Sequence, residues 1–144
     1  MNVLGAVDAL TKELSTVINR TTVNADTVCQ LLLKLATRGD GVPITVVLDN
    51  VRYQKCALVH QYAAALNIEL LYLPSYSPHL NLIERLWRFV RKECLYSRHS
   101  ATFDAFCTAI EHCLATAHTE HRLDLETLLS WRFQSFKKVQ NQTV

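Results

Sequence analysis

The chain has 144 residues, of which 49% are hydrophobic and 19% charged, and its formal net charge is +2. The high apolar fraction excludes a disordered chain, and three glycines with three prolines exclude a collagen-like or low-complexity one. No apolar run approaches the ~20 residues of a membrane span, and we see no signal-peptide pattern. We therefore expect one soluble, cytoplasmic domain over residues 1–136, followed by a polar tail over residues 137–144.

Two β-rich runs come first along the chain. Asn2 to Val7 and Leu14 to Ile18 are joined by a polar segment, which is typical of a β-hairpin. A helix is predicted next, because Asn24 or Asp26 can cap it and apolar residues then recur at helical spacing as far as Thr37.

A strand, a helix and a second strand follow. Ile44 to Leu48 is a continuous, largely β-branched run, which predicts a strand covered on both faces in a parallel sheet. A helix over residues 54–66 and a strand from Glu69 to Leu73 complete the pattern. Residues 44–73 are therefore predicted to form a βαβ unit with a right-handed crossover.

The rest of the chain is predicted to be helical. Ser77 can cap a helix whose first turn holds Pro78, after a loop that begins at Pro74. The predicted buried stripe of this helix consists of Ile83, Leu86, Trp87, Val90 and Cys94. Further helices are predicted over residues 102–116 and 124–131. The fold class is α/β: an antiparallel hairpin beside a parallel pair, with helices covering the sheet.

The cysteines and histidines leave two alternatives open. Five cysteines occur without a Cys-x-x-Cys pair, so we expect reduced thiols rather than a disulfide framework. A zinc site is conceivable, because metal-ligating residues cluster in one segment: Cys107, His112, Cys113, His118 and His121. We favour a packed core there, because Cys107, Ile110 and Leu114 recur at helical spacing.

Two carboxylates are the candidate catalytic and metal-binding residues. Asp49 follows a buried strand, and ligands of open α/β sheets bind beyond the carboxyl ends of the strands. Glu84 lies on the helix that follows the next strand, on the side opposite the apolar stripe of that helix. If the two converge, they can hold Mg²⁺. The alternative is a turn at Asp49 and a surface ion pair between Glu84 and Arg88.

Basic residues concentrate near this candidate site. Residues 81–144 hold nine Lys or Arg against seven Asp or Glu, whereas residues 1–80 are balanced. Arg88 and Arg91 share the helix face of Glu84, so they are candidates for contact with a DNA backbone, as are Lys92, Arg52 and Lys55. The alternative is a solvated helix face, and Trp87 is interpreted as core rather than as a base-stacking residue.

Three blocks in a fixed order resemble the signature of DDE transposases, closest to the bacterial insertion-sequence branch related to mariner transposases. They are Val47-Leu48-Asp49-Asn50, then the segment Leu73 to Pro78, then Leu80 to Trp87. The resemblance covers roughly residues 2–117. It implies a ribonuclease-H-like mixed sheet flanked by helices, with three acidic ligands for Mg²⁺ or Mn²⁺. It also implies cleavage of DNA at transposon ends and strand transfer into target DNA.

In that resemblance Asp49 stands at the second acidic position and Glu84 at the third. Asn50 accompanies the second acid and Asn81 the third. The family usually has a proline where this chain has Leu82, and often a histidine where it has Gln54.

The largest departure concerns the first acid. In the family it lies on a first strand upstream of the segment that resembles Asn2 to Ala9, and Asp8 does not match its position. We therefore expect an N-terminally truncated domain that lacks the first strand, holds its metal weakly and is impaired in catalysis. The helical DNA-binding domain that precedes the catalytic core in the family is also missing from the match.

Two rival functions remain open. One is a non-catalytic fragment that binds DNA, forms a homodimer or pairs with full-length transposase. The other is an unrelated phosphate-binding α/β protein, which we disfavour because no glycine-rich loop follows either predicted parallel strand.

Overall fold

A computed structural model describes residues 1–39, 41–95 and 102–129. The strands are β1 (Asn2–Val7), β2 (Leu14–Asn19), β3 (Ile44–Leu48) and β4 (Ile68–Tyr72). The helices are α1 (Ala25–Arg38), α2 (Ala57–Ala65), α3 (Leu82–Val90), α4 (Phe103–Glu120) and α5 (Arg122–Leu128). Short 3₁₀ turns lie at Arg52–Gln54 and Pro78–Leu80, and a π-helical turn at Arg91–Leu95 extends α3. Arg98, Trp131, the predicted tail over 137–144 and the side chain of Cys94 lie outside the described part.

The predicted α/β class is confirmed. β1 and β2 pair antiparallel, with Gly5 opposite Thr16, and β3 and β4 pair parallel, with Val47 opposite Leu71. Backbone hydrogen bonds group these four strands into two sheets of two. None of the described helices is both long and apolar enough to cross a membrane.

The first long helix begins where its cap predicts. The Asn24 side chain accepts a hydrogen bond from the Thr27 backbone N–H at 3.2 Å, and the Thr27 hydroxyl accepts one from the Asn24 backbone N–H at 3.2 Å. This reciprocal capping box satisfies two donors that a helix start leaves without partners.

The prediction that β3 is covered on both faces is wrong. Val46 and Leu48 are buried against α1 and α2, but Val47 is 43% exposed and its neighbour Leu71 is 52% exposed. A continuous apolar run is compatible with one covered face or two, because the run itself does not say how many helices pack on the sheet.

Two hydrophobic clusters hold the elements together. One joins α1 and α2 to the parallel pair, around the fully buried Val59. The other joins α3, α4 and α5 to the hairpin, around Leu86 and Leu125. The indole ring of Trp87 lies so close to β1 that a Cβ at Gly5 would approach two ring carbons at 3.0 and 3.1 Å. Trp87 is therefore a packing residue, as predicted.

Gly5→Val is expected to destabilise the chain by about 1–3 kcal/mol, because the added methyl groups would meet the indole of Trp87 in a packed interface. Urea unfolding followed by circular dichroism measures this change. The double variant Gly5→Val/Trp87→Leu should recover part of the loss, because the smaller side chain makes room. A strictly additive double variant would contradict the close packing of α3 on β1.

The cysteines follow the prediction only in part. Cys29, Cys56 and Cys107 are free thiols, and burial raises the pKa of Cys29. Cys113, in contrast, is disulfide-bonded, which corrects the expectation of reduced thiols at that position. The reason lies in tertiary contact, which sequence spacing does not reveal.

Candidate active site at the ends of the parallel strands

Asp49 lies directly after β3 and is half-buried. The ladder between the parallel strands continues to this point, because the Leu73 N–H donates to the Leu48 carbonyl at 2.8 Å. The Asp49 carboxylate oxygen Oδ1 accepts a hydrogen bond from the side-chain amide of Asn81 at 3.0 Å. Asp49 therefore contacts the segment that leads into α3.

Asn81, not Ser77, caps α3. The Asn81 side-chain oxygen accepts from the Ile83 N–H at 3.3 Å, whereas Ser77 precedes only the 3₁₀ turn Pro78–Leu80. The predicted cap is wrong because Pro78 starts a short turn, and the α-helix starts afterwards. Asn81 is only 8% exposed, so both ends of its amide are used inside the protein.

Glu84 stands one turn into α3. It is the third residue after the cap residue Asn81, and its backbone N–H donates to the Asn81 carbonyl at 3.1 Å. A carboxylate at this position can reach back toward the cap residue. Because the same cap residue contacts Asp49, the start of the helix that carries Glu84 lies at the end of β3 that leads into Asp49.

Asn50 connects the two loops that border this site. Its side-chain amide donates to the Ser75 hydroxyl at 2.9 Å, so the loop after β3 is tied to the loop after β4. The second loop has its own restraints, because the Leu80 N–H donates to the Ser77 carbonyl at 3.1 Å.

The basic residues of α3 and of the turn after it differ in their surroundings. Arg88, Arg91 and Lys92 are exposed at the end of α3 and in the turn after it. Arg85, which belongs to the same basic cluster, donates to the Leu128 carbonyl at 3.3 Å and so joins α3 to α5.

Arg52 and Lys55 are exposed in the turn that follows Asp49 and Asn50. The Lys55 ammonium lies 5.6 Å from the centre of the Tyr72 ring, so this cation contacts an aromatic face. Both basic residues lie at the end of the sheet where Asp49 follows β3.

Gln54, which stands where the family often has histidine, is buried. Its backbone carbonyl accepts a hydrogen bond from the Tyr72 hydroxyl, and burial raises the pKa of that tyrosine. Its side-chain oxygen is buried without a partner among the described residues.

Asp8 serves the hairpin turn. Its carboxylate accepts from the backbone N–H groups of Leu10 and Thr11 at 2.8 and 2.9 Å. The hydrogen bond from Thr11 is the main cause that lowers the pKa of Asp8.

The donor set fits a hard divalent cation. The carboxylates of Asp49 and Glu84 supply oxygen atoms, the ligands that Mg²⁺ prefers. Asn81 uses only the Oδ1 atom of Asp49, which leaves the second carboxylate oxygen for other contacts. Within the described ranges, no three His, Cys, Asp or Glu side chains form a group that could hold a metal ion. The segment from Cys107 to His121, where a zinc site was conceivable, contains no such group either.

Two residues of the site were missed by the sequence reasoning. Ser75 binds Asn50, and Tyr76 next to it is 99% exposed. Both residues lie in the run Pro-Ser-Tyr-Ser-Pro, which is part of the second block of the family resemblance, but the resemblance gives neither residue a role.

Comparison with known proteins gives a family and a fold. The family model described as DDE superfamily endonuclease matches residues 1–107. A search of curated proteins finds no match. Among solved structures, the chain resembles one from the cryo-EM structure of the simian T-cell lymphotropic virus intasome in complex with PP2A regulatory subunit B56 gamma. The TM-score is 0.57 at 16% identity, over 75% of this chain and 40% of that one. This similarity agrees with a ribonuclease-H-like fold, and the chain spans less than half of the solved chain.

Proposed function

Since this chain belongs to the DDE superfamily endonuclease family, we propose that it is a catalytic portion of a DNA transposase whose Asp49 and Glu84 bind a divalent metal. The observation that carries the proposal is the hydrogen bond from Asn81 to Asp49, which links the end of β3 to the start of the Glu84 helix. Within the superfamily, we assign the chain to the bacterial insertion-sequence branch related to mariner transposases. The three sequence blocks, which include Leu80 to Trp87, support this assignment.

The metal would be Mg²⁺ or Mn²⁺, since domains of this superfamily depend on divalent metals. Asp49 and Glu84 would hold it, with oxygen ligands that suit a hard cation. When bound, such metals activate a water or hydroxyl nucleophile and stabilise the leaving oxygen of a phosphodiester. Asn81 would fix the Asp49 carboxylate in one orientation, and Asn50 would hold the neighbouring loop through Ser75.

The DNA would lie across the same end of the sheet. The exposed cations Arg88, Arg91 and Lys92 extend from the Glu84 helix and can contact phosphates, while Arg52 and Lys55 lie beside Asp49. Phosphate contacts of this kind position a duplex without reading its sequence. They would hold a strand near the two carboxylates.

We further propose that catalysis by this chain is impaired. None of the four described strands carries an acid that matches the family's first aspartate, because β1, β2 and β3 hold no acid and Glu69 lies on β4 at a different position. A metal held by two carboxylates should bind weakly. The purified chain is therefore expected to nick or join transposon-end DNA poorly with Mg²⁺. Efficient cleavage that disappears in Asp49→Ala would contradict the impairment and support a complete active site.

Asn81→Ser is expected to separate the two roles of Asn81. Serine is also a good helix cap, so the free energy of unfolding should change by only about 0.5 kcal/mol. Its shorter side chain does not reach Asp49, so Mn²⁺ affinity should fall about 10-fold or more, as for loss of other partners of metal ligands. Urea unfolding and Mn²⁺ titration measure the two effects. Equal metal affinity in both proteins would contradict the orienting role.

A second candidate is a non-catalytic fragment that pairs with another copy or with full-length transposase. It is favoured by the grouping of the described strands into two separate sheets, since each sheet then has edges open to a further strand. Size-exclusion chromatography with light scattering at several concentrations tests it. A strict monomer that also ignores added full-length enzyme would argue against this candidate.

A further inference from the structure

Tyr76 lies in the loop between β4 and the turn at Pro78–Leu80, the loop that Asn50 contacts through Ser75. Its side chain is 99% exposed, so its ring has almost no contact within the chain. Its backbone φ is +60°, the left-handed region that L-residues with large side chains rarely adopt. The chain thus presents a bulky aromatic ring to solvent from a strained backbone.

Within the described residues, no contact of the Tyr76 ring accounts for its backbone conformation. Two other non-glycine residues in the described part have positive φ, namely Lys12 and Asn67. Asparagine tolerates this conformation, and the Lys12 ammonium donates to the carbonyls of Ala9 and Leu129. Tyr76 is neither a residue type suited to the conformation nor held by a contact of its ring. Backbone strain of this kind concentrates at functional sites.

The loop is held in place rather than free. Asn50 donates to the Ser75 hydroxyl at 2.9 Å, directly before Tyr76, and the Ser77 hydroxyl donates to the Ser75 carbonyl at 3.5 Å. Prolines at positions 74 and 78 further restrict the backbone. Because Asn50 follows Asp49 directly, these contacts hold the backbone at Tyr76 close to the candidate active site.

We infer that Tyr76 stacks on an unpaired base of the DNA strand that the Asp49–Glu84 site engages. A single exposed ring suffices for stacking on a base, and this contact tolerates any sequence. A protein partner would need a contiguous apolar surface, whereas the loop neighbours of Tyr76 are the polar Ser75, Ser77 and Asn50. The inference rests on the proposed function, since it takes DNA as the ligand of this site.

The test measures binding of the full chain to two DNA probes. One is a blunt duplex, and the other is the same duplex with an unpaired overhang that carries 2-aminopurine, whose fluorescence is quenched by stacking. Tyr76→Ala should bind the overhang about 5- to 150-fold more weakly, the range for removal of one base–aromatic stack, and should not quench the probe. Its binding to the blunt duplex should be unchanged, and Tyr76→Trp should restore overhang binding.

Two further variants separate function from folding. Tyr76→Asn relieves the backbone strain, so its Tm should rise by about 4 °C while overhang binding falls as in the alanine variant. Tyr62→Ala removes another partly exposed tyrosine, which lies on α2. This variant should change neither the Tm nor the affinity for the overhang probe.

Three outcomes would overturn the inference. The first is wild-type overhang binding by Tyr76→Ala, and the second is an equal loss on both probes. The third is a changed oligomeric state of Tyr76→Ala, which would assign the ring to a protein contact. If the wild-type chain binds neither probe, the proposed function fails as well, so the two failures are distinguishable.

Discussion

Asp49→Asn is expected to lower the affinity for Mn²⁺ on the order of 100-fold, since even the loss of a partner of a metal ligand costs 10- to 100-fold. The side chain keeps its shape, and the asparagine oxygen can still accept the hydrogen bond that Asn81 donates to Oδ1. The fold should therefore persist, and the loss reports the missing charge. Glu84→Gln should have a comparable effect, because both carboxylates are assigned to the same ion.

Thermal unfolding with increasing Mn²⁺ measures this effect, because a ligand that binds only the folded state raises Tm once its concentration exceeds Kd, and by more the tighter it binds. The wild-type Tm should rise at millimolar metal, and the two variants should show no rise. Glu69→Gln is the matched control, since Glu69 is an exposed carboxylate on β4 that contacts Thr45. A metal response lost equally in the control would contradict a specific site.

Replacing Arg88, Arg91 and Lys92 together with glutamine is expected to weaken DNA binding on the order of 10²-fold at 0.1 M salt. Each phosphate contact contributes about 0.9 to the slope of log affinity against log salt, so three contacts contribute nearly 3. The slope itself should decrease by that amount. Affinity should fall by the same factor for different DNA sequences, because phosphate contacts carry no base information.

Fluorescence anisotropy at several salt concentrations measures both quantities. The control variant replaces Arg20 and Arg122, exposed arginines that pair with Asp104 and Glu126 away from the site. Its DNA affinity should stay close to that of the wild type, as should its salt slope. If the control lost as much affinity as the triple variant, binding would depend on total charge rather than on the Glu84 helix.

Local signals in the sequence predicted most of the fold. The hairpin, the first long helix and the βαβ unit each follow from patterns within about 20 residues, and their order implies the α/β class. The cap at Asn24 is a good example, because both partners of the capping box lie three residues apart.

The predictions that are wrong concern features that depend on contacts between residues far apart in the sequence or on a choice between two local signals. Val47 and Leu71 stay exposed because the described helices cover only one face of the parallel pair, and no local pattern states how many helices will pack there. The start of α3 was misplaced because Ser77 and Asn81 are both good caps, and Pro78 first forms a short turn.

The candidate site was predictable as a set of residues but not as an arrangement. The position of Asp49 after a buried strand and the helix phase of Glu84 both follow from the sequence. The bridge from Asn81 to Asp49 joins residues 32 positions apart, so spacing does not reveal it. Tyr76 was missed for the same reason, because exposure and backbone strain are properties of the folded chain.

We propose that Asp49 and Glu84 share one metal ion, and metal-directed cleavage of the polypeptide is the sharpest test of this proposal. Fe²⁺ bound in place of Mg²⁺ generates hydroxyl radicals with ascorbate and peroxide, and these cut the backbone close to the ion. Mass spectrometry should find cuts in two segments, around Asp49 and around Glu84, and both sets should disappear in Asp49→Asn. Cuts confined to one segment, or unchanged in the variant, would contradict a shared site.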